Sequence, residues 1–326
     1  MSAVRRPVPH RPPSSAASMH ARTPTAEAAT AACGVAAHAL VEAGLTEIAA
    51  LRDAPVPAGG PSLPPRFLRH ADEQTVVGLR AVLEAIAATP EPRPSFADYG
   101  VVGAPCHAGR IATAQSLAQF RTAGGVAVSP HVVPQCSLHS LAGAVSVSLG
   151  MHGPNVGSSG GRHAVSEGLF TALSLLAAAP AADGSLPGVW LVISGWTAEP
   201  GLDAAGRPAV SPAIVAEDRG RHEAPPVCRA VAVALTPAAA PGGGRRIELH
   251  MPATLRVAHP TAADPCPAER AGAAAEILAF ARGLAAGDAA EWSHACPWGG
   301  TLRLSVGDAD ARSRAAGRDG GRREAA

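Results

Sequence analysis

Lysine is absent from this 326-residue chain, and tyrosine occurs once. Its 27 basic residues, histidine aside, are all arginine and face 26 acidic ones, for a formal net charge of +1. That balance removes any global electrostatic case for a nucleic-acid or anionic-membrane partner. No apolar run is long and uninterrupted enough to span a bilayer. The basic start, MSAVRRPVPHRPPSSAASMH, lacks the continuous apolar region of a secretory signal. No C-x-x-C pair occurs among Cys33, Cys106, Cys136, Cys228, Cys266 and Cys296. Free thiols in such apolar surroundings behave as small hydrophobes, so a reduced, cytoplasmic setting is expected. No cofactor motif is found, and no cofactor or metal is expected. What the chain has is apolar bulk: 47% hydrophobic residues and only 16% charged ones, enough for a sizeable core.

Both ends read differently from the middle. Residues 1–25 are rich in Pro, Ser and Arg, and 311–326 in Arg and Gly; both are expected to be disordered tails. Between them, strand-like and helix-like segments alternate, which predicts an α/β sheet covered by helices. The clearest helix is DEQTVVGLRAVLEAIAA, with apolar residues at helical spacing and an acidic first turn. The clearest strand is PGVWLVISGW. Shorter strands are expected in AACGVAAHAL, ADYGVVGAP, VCRAVAVALTP, RRIELHMPATLRV and GTLRLSV. Further helices are expected in LTEIAALRD, TAQSLAQFRTAG, SLHSLAGAVSVSLG and AERAGAAAEILAFARGLAAG.

The most informative stretch is 129–179, SPHVVPQCSLHSLAGAVSVSLGMHGPNVGSSGGRHAVSEGLFTALSLLAAA. It reads as a loop, a buried helix, the Gly153-Pro154 turn, a glycine-rich corner and a second apolar helix. This resembles the amino-terminal half of the β-ketoacyl synthases, thiolase-fold condensing enzymes, in which Gly-Pro leads into a short strand. A sharp elbow bearing the acyl-accepting cysteine follows, and then a buried helix. CGVAAHALVEAGLTEIAALR, LPPRFLRHADEQTVVGLRAVLEAI, YGVVGAP, GVWLVISGW and CRAVAVALTP resemble other segments of that half, in order, over residues 30–237. The resemblance implies one ketoacyl-synthase-like domain over 26–310, with a layered thiolase-like fold and a truncated carboxy-terminal segment.

The departures matter as much. Alignment on Gly153-Pro154 puts Arg162 at the elbow, between Gly161 and His163, where the family has cysteine. The family's two carboxy-terminal histidine motifs have no counterpart; His250, His259 and His294 lack that context. An arginine is neither nucleophilic nor able to lose its proton. At a helix start it also faces the positive end of the dipole, so something must compensate. The resemblance therefore implies a non-condensing subunit resembling the chain-length factors of polyketide and fatty-acid pathways. Gly157, Ser158, Ser159, Gly160, Gly161 and Arg162 are its expected substrate cradle. Its expected partners are a second copy, a full-length ketosynthase or an acyl carrier protein. Helix 164–179 is apolar on every face and is expected to be buried all round, by the 266–306 segment or by another subunit.

Three other chemistries are weighed. A displaced thiol, Cys106 or Cys136, is a candidate acyl acceptor. Gly157-Ser158-Ser159-Gly160-Gly161 matches G-x-S-x-G, with Ser159 as a hydrolase nucleophile, although MHGPNV is a poor strand to carry it. Cys106, His107, His131, Cys136, His139, His152 and His163 crowd the middle without paired-ligand spacing, and a chance cluster is expected. His131 and His139 are expected to be structural.

Overall fold

The computed structural model describes residues 30–158, 161–178, 186–208, 225–238, 245–251, 273–286 and 292–306. The expected tails at 1–25 and 311–326 lie outside these residues, as do Ser159, Gly160, His259 and Cys266. Eight strands form one mixed sheet, with helices on both faces. β1 (Thr30–Gly44), β2 (Gly100–Pro105), β3 (Asn155–Gly157) and β4 (Val189–Trp196) are followed by β5 (Val227–Pro237) and β6 (Arg245–His250). β7 (Trp292–Ala295) and β8 (Thr301–Val306) close the chain order. Their order across the sheet is β3-β2-β4-β5-β1-β6-β8-β7. β2 runs parallel to β3 and β4, and every other pairing is antiparallel. The carboxy-terminal segment thus widens the sheet beyond β1.

β4 is buried at all eight positions, because helices cover both its faces; that is why it reads as a continuous apolar run. One face carries α1 (Leu45–Leu51), α2 (Glu73–Ala87) and α5 (His139–Leu149). The other carries α6 (Ala164–Ala178) and α7 (Ala273–Ala285). α2 is the keystone, with twelve of its residues buried from Gln74 to Ile86. Asp72 caps it, accepting hydrogen bonds from Gln74 N (2.9 Å), Thr75 N (3.3 Å) and Thr75 Oγ1 (2.5 Å). Burial pushes the Asp72 carboxyl up, against the pull of those hydrogen bonds.

α5 is keyed onto the sheet by residues without side chains. A Cβ on Gly103 of β2 would lie 2.8 Å from Ala142 N, and one on Gly157 of β3 would lie 2.7 Å from the Leu138 carbonyl. Backbone meets backbone at both places, and only glycine permits it.

α3 (Arg110–Ala123) and α4 (Val132–Cys136) stand away from this core; Ile111 is the one buried residue between them. Leu117, Phe120, Val126, Val133, Leu138 and Val147 are exposed on this side of the molecule. α4 replaces part of the loop expected at 129–136. The described residues cover α6 only in part. It buries Val165, Leu169, Ala172 and Leu173 but exposes Phe170, Ser174, Ala177 and Ala178 along one stripe. α7 and the β7–β8 hairpin reach only part of its circumference: Phe170 meets Trp298 edge-on at 5.4 Å and is still 41% exposed. No helix among the described residues is long and apolar enough to cross a membrane.

Candidate functional site

The chemistry-bearing residues gather at the carboxyl ends of the parallel strands β2, β3 and β4, where open α/β sheets place their crevices. β2 ends at Pro105, and Cys106 N still donates to Ser194 O of β4 at 2.8 Å. Gln74, buried at the start of α2, fixes this corner. Its Nε2 donates to His107 O (2.8 Å), and its Oε1 accepts from Ser194 Oγ (3.2 Å). His107 is thereby presented at the surface. Gly109 closes the loop at φ 67°, with Cys136 so near that a Cβ at 109 would fall 2.3 Å from the Cys136 Cβ.

The elbow lies opposite. Ser158 N donates to Gly103 O at 2.8 Å, carrying the end of β3 into the corner. Ser158 Oγ lies 3.4 Å from Thr171 Oγ1 of α6. Gly161 takes φ 45°, and a Cβ there would face His107 Cε1 at 3.7 Å. Gly161–His163 form one 3-10 turn, and α6 starts only at Ala164. Arg162 therefore precedes the helix rather than occupying its first turn. Its Nε donates to His163 Nε2 at 3.1 Å, which makes that ring nitrogen an acceptor. Ser166 Oγ, one turn into α6, donates back to His163 O at 3.1 Å.

What compensates Arg162 comes from the other end of the chain. α7 packs on the 161–163 turn and brings Glu276 to it. Burial raises the Glu276 carboxyl, and the Arg162 guanidinium draws it back down. Among the described residues, Glu276 Oε2 is buried without a hydrogen-bond partner, and so is His294 Nε2 on β7. The His294 ring stacks on Trp292 at 5.7 Å and 4°. Burial, and after it the neighbouring His163, push its pKa down. Glu276 and His294 were not singled out as site residues from sequence. Over a hundred positions separate them from Arg162, and no motif links them to it.

The candidate thiols are placed but not activated. Cys106 is 5% exposed, and its thiol is pushed up to about 12 by burial, then by the carboxylates of Glu199 and Glu276. Burial also raises Cys136, against a hydrogen bond with Thr113. A low-pKa thiol needs cations or a helix start beside it, and Cys106 has carboxylates instead. At pH 8 its thiolate fraction is roughly one part in ten thousand. Iodoacetamide should therefore leave Cys106 unmodified in the folded protein at pH 8, its rate rising tenfold per pH unit toward pH 12. Mass mapping of the alkylated cysteines checks this, and rapid labelling at pH 8 would contradict the inert thiol.

Two clefts flank the corner. One of about 520 Å³, open to solvent, is lined by Cys106, His107, Arg110, Leu138 and Glu199. Arg110 Nη1 meets Glu199 Oε2 at 3.0 Å across its rim, an exposed pair worth about 0–1 kcal/mol. The other, of about 300 Å³, is mostly apolar and lies between α6 and the hairpin, with Ser158, Glu167, Phe170 and Trp298 in its wall. Burial raises the Glu167 carboxyl there.

His131, just before α4, and His139, the first residue of α5, are both exposed. Among the described residues, no group of three or more His, Cys, Asp or Glu side chains is placed to hold a metal ion.

No family model matches the chain, and no curated protein matches it. Among solved structures it is similar to the ishigamide ketosynthase/chain length factor. The TM-score is 0.48 at 16% identity, covering 84% of this chain and 98% of that one. It is also similar to a β-ketoacyl synthase from Burkholderia phymatum STM815, at TM-score 0.40 and 16% identity. A third similarity, at TM-score 0.40 and 14% identity, is to a type II polyketide synthase acyl-carrier protein in complex with its ketosynthase bound to the hexaketide. Each of these last two matches covers 64% of this chain; the chain spans 59% of the second structure and 64% of the third.

Proposed function

We propose that this chain is a ketosynthase-like accessory protein of a carrier-dependent fatty-acid or polyketide pathway, and that it does not itself condense acyl chains. One observation carries the reading. The elbow before α6 holds Arg162, set between His163 and Glu276, while the nearby Cys106 is buried with its thiol raised to about 12. Claisen-type condensation needs a thiolate to carry the acyl group, and such a site supplies none. The ordered segments that resemble the ketosynthase half, from residue 30 to 237, support the pathway assignment. The apolar side chains exposed on α3, α4 and α5, beside the open edge of β3, favour a docked protein partner, a second copy or a full-length ketosynthase. The cytoplasm is the proposed location.

The test is intact-protein mass after incubation with acyl-loaded and malonyl-loaded carrier protein, with a full-length condensing enzyme in parallel. The expected result is an unchanged mass here and a stoichiometric adduct on the control. An adduct mapped to Cys106, Cys136 or Ser159 would overturn the accessory reading and make the chain an acyltransferase.

A further inference from the structure

Away from the elbow, α2 closes a small polar cavity of about 220 Å³ against the loop that follows α1. Three arginines line it: Arg52, Arg66 and Arg80. Arg80 is only 5% exposed, on the most buried helix among the described residues. Its guanidinium donates to three carbonyls, one at the end of α1 and two in the loop after it: Leu51 O (2.9 and 2.6 Å), Ala54 O (2.5 Å) and Pro55 O (3.0 Å). No carboxylate forms an ion pair with it among the described residues; Glu84 acts on it only from a distance. Arg52 is tied to Leu68 O (2.8 Å), to Ala71 O and to Glu73 (3.3 Å). The wall holds one carboxylate, Asp53, exposed and without an ion-pair partner among the described residues. Three guanidiniums thus face two carboxylates, Glu73 and Asp53, and among the described residues neither Arg80 nor Arg66 is ion-paired.

The loop is held in an uncommon shape at the same place. Arg66 has φ 63°, the one non-glycine residue with positive φ among those described. The left-handed conformation is costly for any residue with a Cβ, and it persists only where the surroundings hold it. A bare cost at an exposed arginine gains the apo fold nothing. It is offset if that arginine must close over a ligand.

We infer that this cavity is a binding site for a small tetrahedral oxyanion, phosphate or the phosphoryl end of a monoester, held between Arg66 and the α2–loop wall at Arg80. Its volume takes one such ion with a few waters; Arg66 supplies the uncommitted planar donors, while Arg80 and Arg52, whose N–H groups are largely spent on carbonyls and Glu73, contribute their positive charge. It lies apart from the elbow and does not depend on the proposed accessory role.

The decisive experiment is thermal melting of the full chain against inorganic phosphate and ethyl phosphate, in chloride matched for ionic strength. Arg66→Gly and Arg69→Gln are run beside the parent. Saturating phosphate should raise the parent midpoint by about 3 °C. Arg66→Gly should melt higher than the parent without phosphate, since glycine adopts φ 63° freely, yet lose most of the phosphate-induced rise. Arg69→Gln alters a neighbouring arginine outside the cavity and should keep the full rise. An equal rise with ethyl phosphate marks the site as open to a phosphoryl end, whereas a rise with the inorganic ion alone assigns it to free phosphate. No rise in the parent, a full rise in Arg66→Gly, or equal loss in both variants would each overturn the site.

Discussion

Trp190→Ala should destabilise the protein by about 3–5 kcal/mol, lowering the melting midpoint by roughly 10 °C. Trp190 is fully buried on β4, beside Val101 of β2 and Ala234 of β5 in the sheet register. Its ring meets Phe96 edge-on at 5.2 Å, and Phe96 in turn meets Tyr99 at 5.1 Å. Truncation would open a cavity between the sheet and α2, where neither can collapse to fill it. Trp190 Nε1 has no hydrogen-bond partner among the described residues, so Trp190→Phe gives up packing volume but none of the hydrogen bonds they make. The phenylalanine variant should therefore lose less than half as much. Chemical denaturation of both variants checks the pair, and equal losses would point to an uncounted polar role for the indole.

Gly103→Val should act through geometry rather than volume. A Cβ at 103 would sit 2.8 Å from Ala142 N and 3.2 Å from Ala142 Cβ, so α5 must lift off β2. Overpacking of this kind costs about 1–3 kcal/mol. The larger consequence is local, because α5 leads through Gly153-Pro154 into β3 and the elbow. Amide hydrogen exchange should accelerate at least tenfold over residues 139–158 while the α2 amides stay protected. Gly143→Ala on the same helix is the control. Its Cβ would meet only the His139 ring at 3.7 Å, and the substitution should be neutral or mildly stabilising. Unchanged exchange in Gly103→Val would show that α5 is not keyed by this contact.

Where periodicity was strong, the elements lie where the sequence placed them. α2 spans Glu73–Ala87 within the expected 72–88, and β4 spans Val189–Trp196 within 187–196. Their patterns are long, and their burial follows directly from them. β7 was not legible. Four residues, Trp292–Ala295, carry too little pattern, and the strand exists only because β8 pairs with it. The cover of α6 was not legible for a different reason. Apolar composition all round calls for burial by 266–306 or by another subunit, and composition cannot say which. Among the described residues α7 and the hairpin cover only part, and Phe170 stays exposed.

The elbow divides the same way. That residue 162 is an arginine is a fact of the sequence, and it alone removes the thiol from the position that the family resemblance assigns to it. What that arginine faces was decided by the tertiary fold. α7 delivers Glu276 to it, and β7 delivers His294 to its neighbour His163, from the far end of the chain, without any spacing that could announce them. The state of Cys106 is tertiary as well. A thiol's pKa depends on how much water it has lost and which charges stand near it, and both are set by segments distant in sequence. Local pattern is a property of neighbours along the chain and survives reading one residue after another. Desolvation and charge proximity exist only once the chain has folded.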